Sequence, residues 1–190
     1  MENQRLEEAF FRRDCPLVAR ELVGKLLVCR SEVGLRCLRI TETECYWGEN
    51  DTACHAHKGR TPRTEVLYGK AGTVYVYLCY GMHWLMNIVT GEENDPQAVL
   101  IRACESAPGP GRLTKALGIT GALNRSSVLH GDTLWVVDDG FRCAIREEKR
   151  VGIGYASPKD QNRLWRYCAD GKLPERTAKE AVSNGLGGHL

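Results

Sequence analysis

Thr73-Val-Tyr-Val-Tyr-Leu-Cys-Tyr-Gly-Met-His-Trp-Leu-Met-Asn-Ile-Val-Thr90 is the stretch whose reading decides the fold. It is rich in β-branched and aromatic residues and is interrupted by one glycine. That pattern predicts two strands, 73–80 and 84–90, closed into a hairpin around Gly81-Met82-His83. Side chains alternate across a strand, so Tyr75 and Tyr77 share a face. Tyr80 stands at the tip, where an exposed apolar wedge suits insertion between stacked bases. Asn87 is a lone amide in an apolar run. It is either satisfied within the structure or reads the edge of a ligand.

Outward from the hairpin, strands are expected at 26–30, 36–46 and 97–104. Two short helices are expected at 6–13 and 16–23, with Asp14 as a cap and Gly24 as a stop. Gly48 to Pro62 reads as a long polar loop. Pro108-Gly-Pro-Gly111 breaks the chain before a helix at 112–117. A second hairpin is expected from 133–137 and 142–146 around Asp138-Asp-Gly140, and another strand at 150–155. Strands cluster without regular intervening helices. The expectation is one α+β domain over 1–190, with a curved, mostly antiparallel sheet and a peripheral tail from about 170.

On the strand 36–46 one face reads Leu38, Ile40, Glu42, Glu44, Tyr46 and the other Cys37, Arg39, Thr41, Thr43, Cys45. An apolar face that turns into two carboxylates and a ring is costly to bury unless the acids are paired or functional. The alternative is an exposed strand end with ordinary surface acids. Arg102, after Val-Leu-Ile, is suited to meet a carboxylate or a phosphate.

The whole chain has 190 residues, 43% of them hydrophobic, and a net charge of +2. No apolar run reaches spanning length, so no membrane segment is expected. No signal peptide is read at the N-terminus. A reducing compartment follows: cytoplasm or nucleoid in a bacterium, the nucleus in a eukaryote, and not secretion. The nine cysteines are scattered without a C-x-x-C pair and read as free thiols filling small core positions. Lys58, Arg60, Arg63 and Lys70 border an acid-bearing segment. This fits a basic rim on a polyanion site or a mixed solvated surface. Cys54-His55-x-His57 lacks the second ligand pair that zinc requires, so no metal is expected. Dinucleotide, Walker and nucleophile-elbow motifs are absent.

Taken together, Glu-Thr-Glu-Cys-Tyr-x-Gly, Asp-x-Ala-x-His, Arg-Thr-Pro-Arg, Gly-Thr-x-Tyr-Val-Tyr-x-x-Tyr-Gly-Met and Met-Asn-Ile resemble the alkyladenine (3-methyladenine) DNA glycosylase family. The resemblance runs from Phe10-Phe11 and Leu17–Lys25 through Arg150-Val-Gly-Ile-Gly154. It implies a monofunctional enzyme of base excision repair that acts without metal or organic cofactor. Its partner is duplex DNA carrying damaged purines, and it works as a monomer. Such an enzyme flips the damaged purine from the duplex and hydrolyses its N-glycosidic bond with water. Glu44 matches the general base. Arg102 and the carbonyl of Val151 match the groups that hold the water. Tyr46, His55 and Tyr77 match the base sandwich, and Asn87 the amide that disfavours guanine. Tyr80 matches the residue that fills the gap in the duplex, with Met82 beside it in the minor groove. Glu42 looks structural. The chain departs from the family at Cys45, expected to face away from the pocket, and at His83 and Trp84. It also has a short loop after Gly121. A non-catalytic module that stacks single-stranded nucleic acid, and a metallohydrolase built on His55 and His57, are the competing readings.

Overall fold

A computed structural model of the protein describes residues 4–182. The strands are β1 (Gln4–Arg5), β2 (Leu26–Ser31), β3 (Gly34–Trp47), β4 (Val74–Cys79), β5 (His83–Val89), β6 (Gln97–Cys104), β7 (Leu134–Asp138), β8 (Ile145–Glu148) and β9 (Arg166–Ala169). The α-helices are α1 (Glu8–Phe11), α2 (Cys15–Leu22), α3 (Pro110–Leu117), α4 (Pro158–Gln161) and α5 (Ala178–Val182). The architecture is α+β: one open antiparallel sheet in the order β1-β7-β2-β3-β6-β5-β4, with few short helices and with β9 and β8 continuing beside β3.

β3 is the spine. Its first part, 34–39, pairs with β2. Its second part pairs with β6 on one edge and with β9 at 42–44 on the other. Register shifts lie between Ile40 and Glu42 and between Glu42 and Thr43. Such irregularities change which face a side chain takes. Ile40 and Cys45 both join the main core, and the Thr43 hydroxyl donates to the Ala19 carbonyl of α2 at 2.7 Å. Simple alternation had put Ile40 and Glu44 on one face. The shift inverts the phase, so the acids point away from the core that holds Ile40.

The hairpin forms as expected, with Tyr75 opposite Asn87 and Tyr77 opposite Leu85. Val74, Val76, Met86, Ile88, Val99 and Ile101 bury one face of the sheet against α2 and α3. Fully burying side chains of this kind stabilises the fold by about 1.5–3 kcal/mol each. Tyr75, Val89 and Ala98 turn to the other face, under the loop that follows β3. That loop contains a helical turn at His55–Lys58, and a second follows at Glu65–Tyr68.

Two expectations are corrected. β7 and β8 do not pair with each other; β7 pairs with β1 and β2, and β8 with β9. Asp138 and Asp139 explain this. Their carboxylates accept the N–H groups of Gly140 and Phe141, which makes local side-chain turns instead of a tight hairpin. Residues 150–155 form bends and not a strand, because Gly152 takes φ +76°. Within the segment read as a tail, Leu173 and Ala181 are buried and most of the other described residues are exposed; 183–190 lie outside the described residues. Asp14 does hold the cap position of α2, but its backbone carbonyl does the work, accepting from Leu17 and Val18. All nine cysteines are unpaired, and only Cys79 and Cys143 are not buried. Among the described residues no helix is long and apolar enough to cross a membrane.

Candidate active site

Glu44 is fully buried in the second half of β3. Its Oε1 accepts the Val151 N–H at 2.7 Å and its Oε2 accepts the Tyr46 hydroxyl at 2.8 Å. Arg102, from β6, places Nε 2.8 Å from Glu42 and 3.7 Å from Glu44. Arg166 donates to Glu42 from the other side at 3.0 Å. Glu42 is therefore committed to two arginines, and Arg102 meets carboxylates in this structure. Burial pushes the Glu44 carboxyl up from the usual range, against the opposing pull of Arg102, the Val151 N–H and Tyr46. A carboxylate offers about four acceptor positions, so Glu44 keeps capacity for a proton beyond its two hydrogen bonds.

Beside it lies a small pocket lined by aromatic rings. β3 supplies Tyr46, the following loop supplies His55, β4 supplies Tyr75 and Tyr77, and β5 supplies Asn87. The rings of His55 and Tyr77 meet edge-on at 4.7 Å, and those of Tyr75 and Tyr77 lie 5.3 Å apart. His55 Nδ1 is 2.9 Å from the Tyr75 hydroxyl. Burial, with help from the charge of Arg63, pushes His55 down to about 4, so its ring is neutral at physiological pH. Asn87 donates Nδ2 to the Tyr75 carbonyl at 3.1 Å, which fixes the amide at the pocket wall. Burial raises the Tyr46 phenol well above its ordinary value, as does its bond to Glu44.

The pocket opens into a wide cleft whose walls include Arg63, Tyr80, Arg102, Arg112 and Val151. Tyr80 is 90% exposed at φ 51° and Met82 is 72% exposed. A bulky residue in the left-handed region is unusual, and such strain is characteristic of functional tips. The hairpin is braced from behind. A Cβ added to Gly111 would stand 2.9 Å from the His83 ring, and one at Gly121 would stand 2.7 Å from the Trp84 ring. The two unusual residues of β5 thus rest on glycines. Cys45 packs in the main core, away from the pocket.

Of the residues matched to the family's site, Tyr46, His55, Tyr77, Asn87, Tyr80, Arg102 and Val151 line this cleft or its pocket, and Met82 is exposed beside Tyr80 at the hairpin tip. Glu44 lines neither; it is buried behind them and joined to the site through the Tyr46 hydroxyl and the N–H, not the carbonyl, of Val151. Tyr155 and Tyr75 also line the pocket and were given no part in it. Alternation with Tyr77 could have found Tyr75; Tyr155 lies in a segment misread as a strand. His55 and His57 do not act together, since His57 Nδ1 contacts the Glu49 carbonyl at 2.7 Å. Among the described residues no three His, Cys, Asp or Glu side chains are grouped to hold a metal.

A sequence model described as methylpurine-DNA glycosylase matches residues 9–108 and 105–173. A protein of Myxococcus xanthus is 46% identical over 175 residues, covering 84% of this chain and 89% of its own. One from Borreliella afzelii is 39% identical over 183 residues, covering 87% and 96%. One from Rickettsia felis is 40% identical over 169 residues, covering 85% and 91%. All three carry the name 3-methyladenine DNA glycosylase. The chain belongs to the methylpurine-DNA glycosylase family, DNA-repair hydrolases of the N-glycosyl bond.

Proposed function

We propose that the protein removes damaged purines from duplex DNA by flipping them into the aromatic pocket, with Glu44 as the base that activates water. The observation that carries this reading is a buried carboxylate, held at both oxygens, beside a ring-lined pocket that opens on an arginine-bearing cleft.

A base inside the stack is out of reach of any side chain, so it must leave the duplex at a cost of a few kcal/mol. Stacking against Tyr46, His55 and Tyr77 returns about 1–3 kcal/mol per base. Alkylated purines such as 3-methyladenine are cations, and electron-rich rings favour them by about 0.5–2 kcal/mol. The neutral His55 suits that role. Tyr80 fills the space left in the duplex, with Met82 beside it. Asn87 opposes the 2-amino group of guanine.

In the reaction, Glu44 takes a proton from water and the oxygen bonds to C1′ of the sugar. The glycosidic bond breaks and its electron pair leaves with the base, which neutralises a cationic purine. Arg102 and the Val151 carbonyl orient the water. Positive charge builds on the sugar in the transition state, and the nearby carboxylate stabilises it. No lysine lines the pocket among the described residues, so no Schiff base and no strand cleavage are expected.

Excision from a panel of duplexes, each with one lesion, tests the reading; release of none of them would overturn it. Two further results are expected. Tyr80→Ala should weaken binding of lesion duplex by about 1–3 kcal/mol, the scale of one stacking contact. Equal affinity of variant and wild type would count against the wedge. Second, the catalyst is the ionised form of Glu44, whose pKa is raised. Excision should therefore be lost as pH falls, and the loss should set in above the usual carboxylate range. A rate that stays flat down to that range would remove Glu44 as base. A module that only stacks single strands gives Glu44 no task, and would release no base at any pH.

A further inference from the structure

We infer that the buried Arg150–Asp51 ion pair is a positioning device for Glu44, because one guanidinium fixes both groups that hold the carboxylate. This rests on the reading of Glu44 as the base.

Arg150 and Asp51 side chains are both 0% exposed and meet in two parallel bonds of 2.6 and 2.8 Å. Arg150 Nη1 also donates to the carbonyl of Cys45, the residue between Glu44 and Tyr46, at 2.9 Å. Its guanidinium carbon lies 4.8 Å from the centre of the Tyr46 ring, whose hydroxyl donates to Glu44. The next residue along the chain is Val151, which donates its N–H to the other Glu44 oxygen. Asp51 in turn accepts the N–H groups of Trp47 and Ala53, both at 3.1 Å. It thereby fixes the start of the loop that carries His55 to the pocket. Three segments distant in sequence are tied at one point: the end of β3, the pocket loop and the turn after β8.

Stability does not account for such a pair. Desolvation of two buried charges offsets much of their attraction, and packed apolar replacements often fold as well or better. Arg39–Asp139 is a second buried pair, with Arg39 on β3, and serves as the comparison. Its bonds go to Gly24 and Pro174, not to the site.

The test compares three proteins with wild type on a duplex carrying one methylated purine. One replaces the pair by Arg150→Met with Asp51→Leu. The second is Asp51→Asn, which keeps the shape but offers one acceptor oxygen in place of two. The third makes the same apolar exchange at Arg39 and Asp139. Thermal melting, duplex affinity and single-turnover excision are measured across pH. The first variant should fold and still bind the duplex, with excision lost out of proportion to any loss of affinity. Its excision rate should fall on the order of a hundredfold, as for an ångström-scale misplacement of a catalytic group. The second should fall in the same direction by on the order of tenfold, a partial form of the same misplacement. The third should keep the wild-type rate.

The charged and titratable neighbours of Glu44 are Glu42 and Tyr46 on β3, Arg102 on β6, Arg166 on β9 through Glu42, and Arg150 and Tyr155 beyond β8. Only the Arg150 pair is altered. Loosening the Val151 N–H withdraws a contact that lowers the Glu44 pKa, so the acid limb should move to higher pH. Wild-type excision by either of the first two variants would overturn the inference, and so would an equal loss in the third. If the first variant fails to fold, the excision rate of the second, measured against its duplex affinity, decides. A wild-type protein that releases no base would sink the proposed function instead.

Discussion

Glu44→Gln is expected to lower the rate of base release by about 10²–10⁴-fold, the span that a positioned general base contributes. The exchange is close to isosteric. The amide oxygen can still accept the Val151 N–H, and the amide nitrogen can donate to the Tyr46 oxygen in reversal of the present bond. The carboxylate is fully buried, so an amide also removes a desolvation penalty. Folding and lesion binding should therefore survive while chemistry fails. Anisotropy of a labelled lesion duplex reports binding, and single-turnover release of the base reports chemistry. Turnover within a few-fold of wild type would exclude Glu44 as the base. Loss of binding together with turnover would make its role architectural. The outcome also separates the acids, because Glu42 is engaged by Arg102 and Arg166 and has no predicted share in the chemistry.

Local pattern carried much of the fold into view. The hairpin was legible because both of its strands alternate between a core face and a pocket face, with glycine at the tip. The second half of β3 was legible as a strand but not in its facing. Alternation counted from Leu38 predicts one face for Ile40 and Glu44, and a register shift against β6 breaks the count. A bulge is set by the partner strand, and nothing in residues 36–46 alone announces it. β9 escaped because four residues with one arginine carry no usable period. Its place is fixed by pairing with β3 and β8 across the fold.

The site divides in the same way. Tyr77 and Asn87 come from paired strands, and periodicity alone puts the two tyrosines of β4 on one face. His55 comes from a loop, so only resemblance to known proteins could join it to Tyr77, and the rings do meet. Arg150 and Asp51 are 99 residues apart. No spacing rule relates them, and the glycines after Arg150 gave no hint that a buried charge stood there.

Asp139→Ala is expected to cost about 3–5 kcal/mol of folding stability, the usual effect of removing one partner from a buried ion pair. Arg39 is 0% exposed and meets Asp139 through two bonds of 3.0 and 2.7 Å. Its remaining bonds go to the carbonyls of Gly24 and Pro174, and its guanidinium lies over the Phe141 ring at 4.5 Å. None of these neutralises the charge. Arg176 is also within 3.6 Å of Asp139, so the carboxylate serves two cations and its loss leaves both without it. Burial alone would raise the Asp139 pKa, but the hydrogen bonds and charge of Arg39 outweigh it and the net shift is downward. A carboxylate with a depressed folded-state pKa adds stability above its unfolded value and loses it as pH falls through the folded value. The variant should therefore lose most against wild type at neutral pH. The gap should narrow below the ordinary aspartate range as wild type also becomes protonated. Urea unfolding at several pH values measures both. A difference under 1 kcal/mol at neutral pH, or one that widens on acidification, would show that the pair is not what holds Arg39 in the core. The same residue pair, exchanged together for apolar side chains, should restore stability, because the penalty belongs to the orphaned charge and not to the absence of the bond.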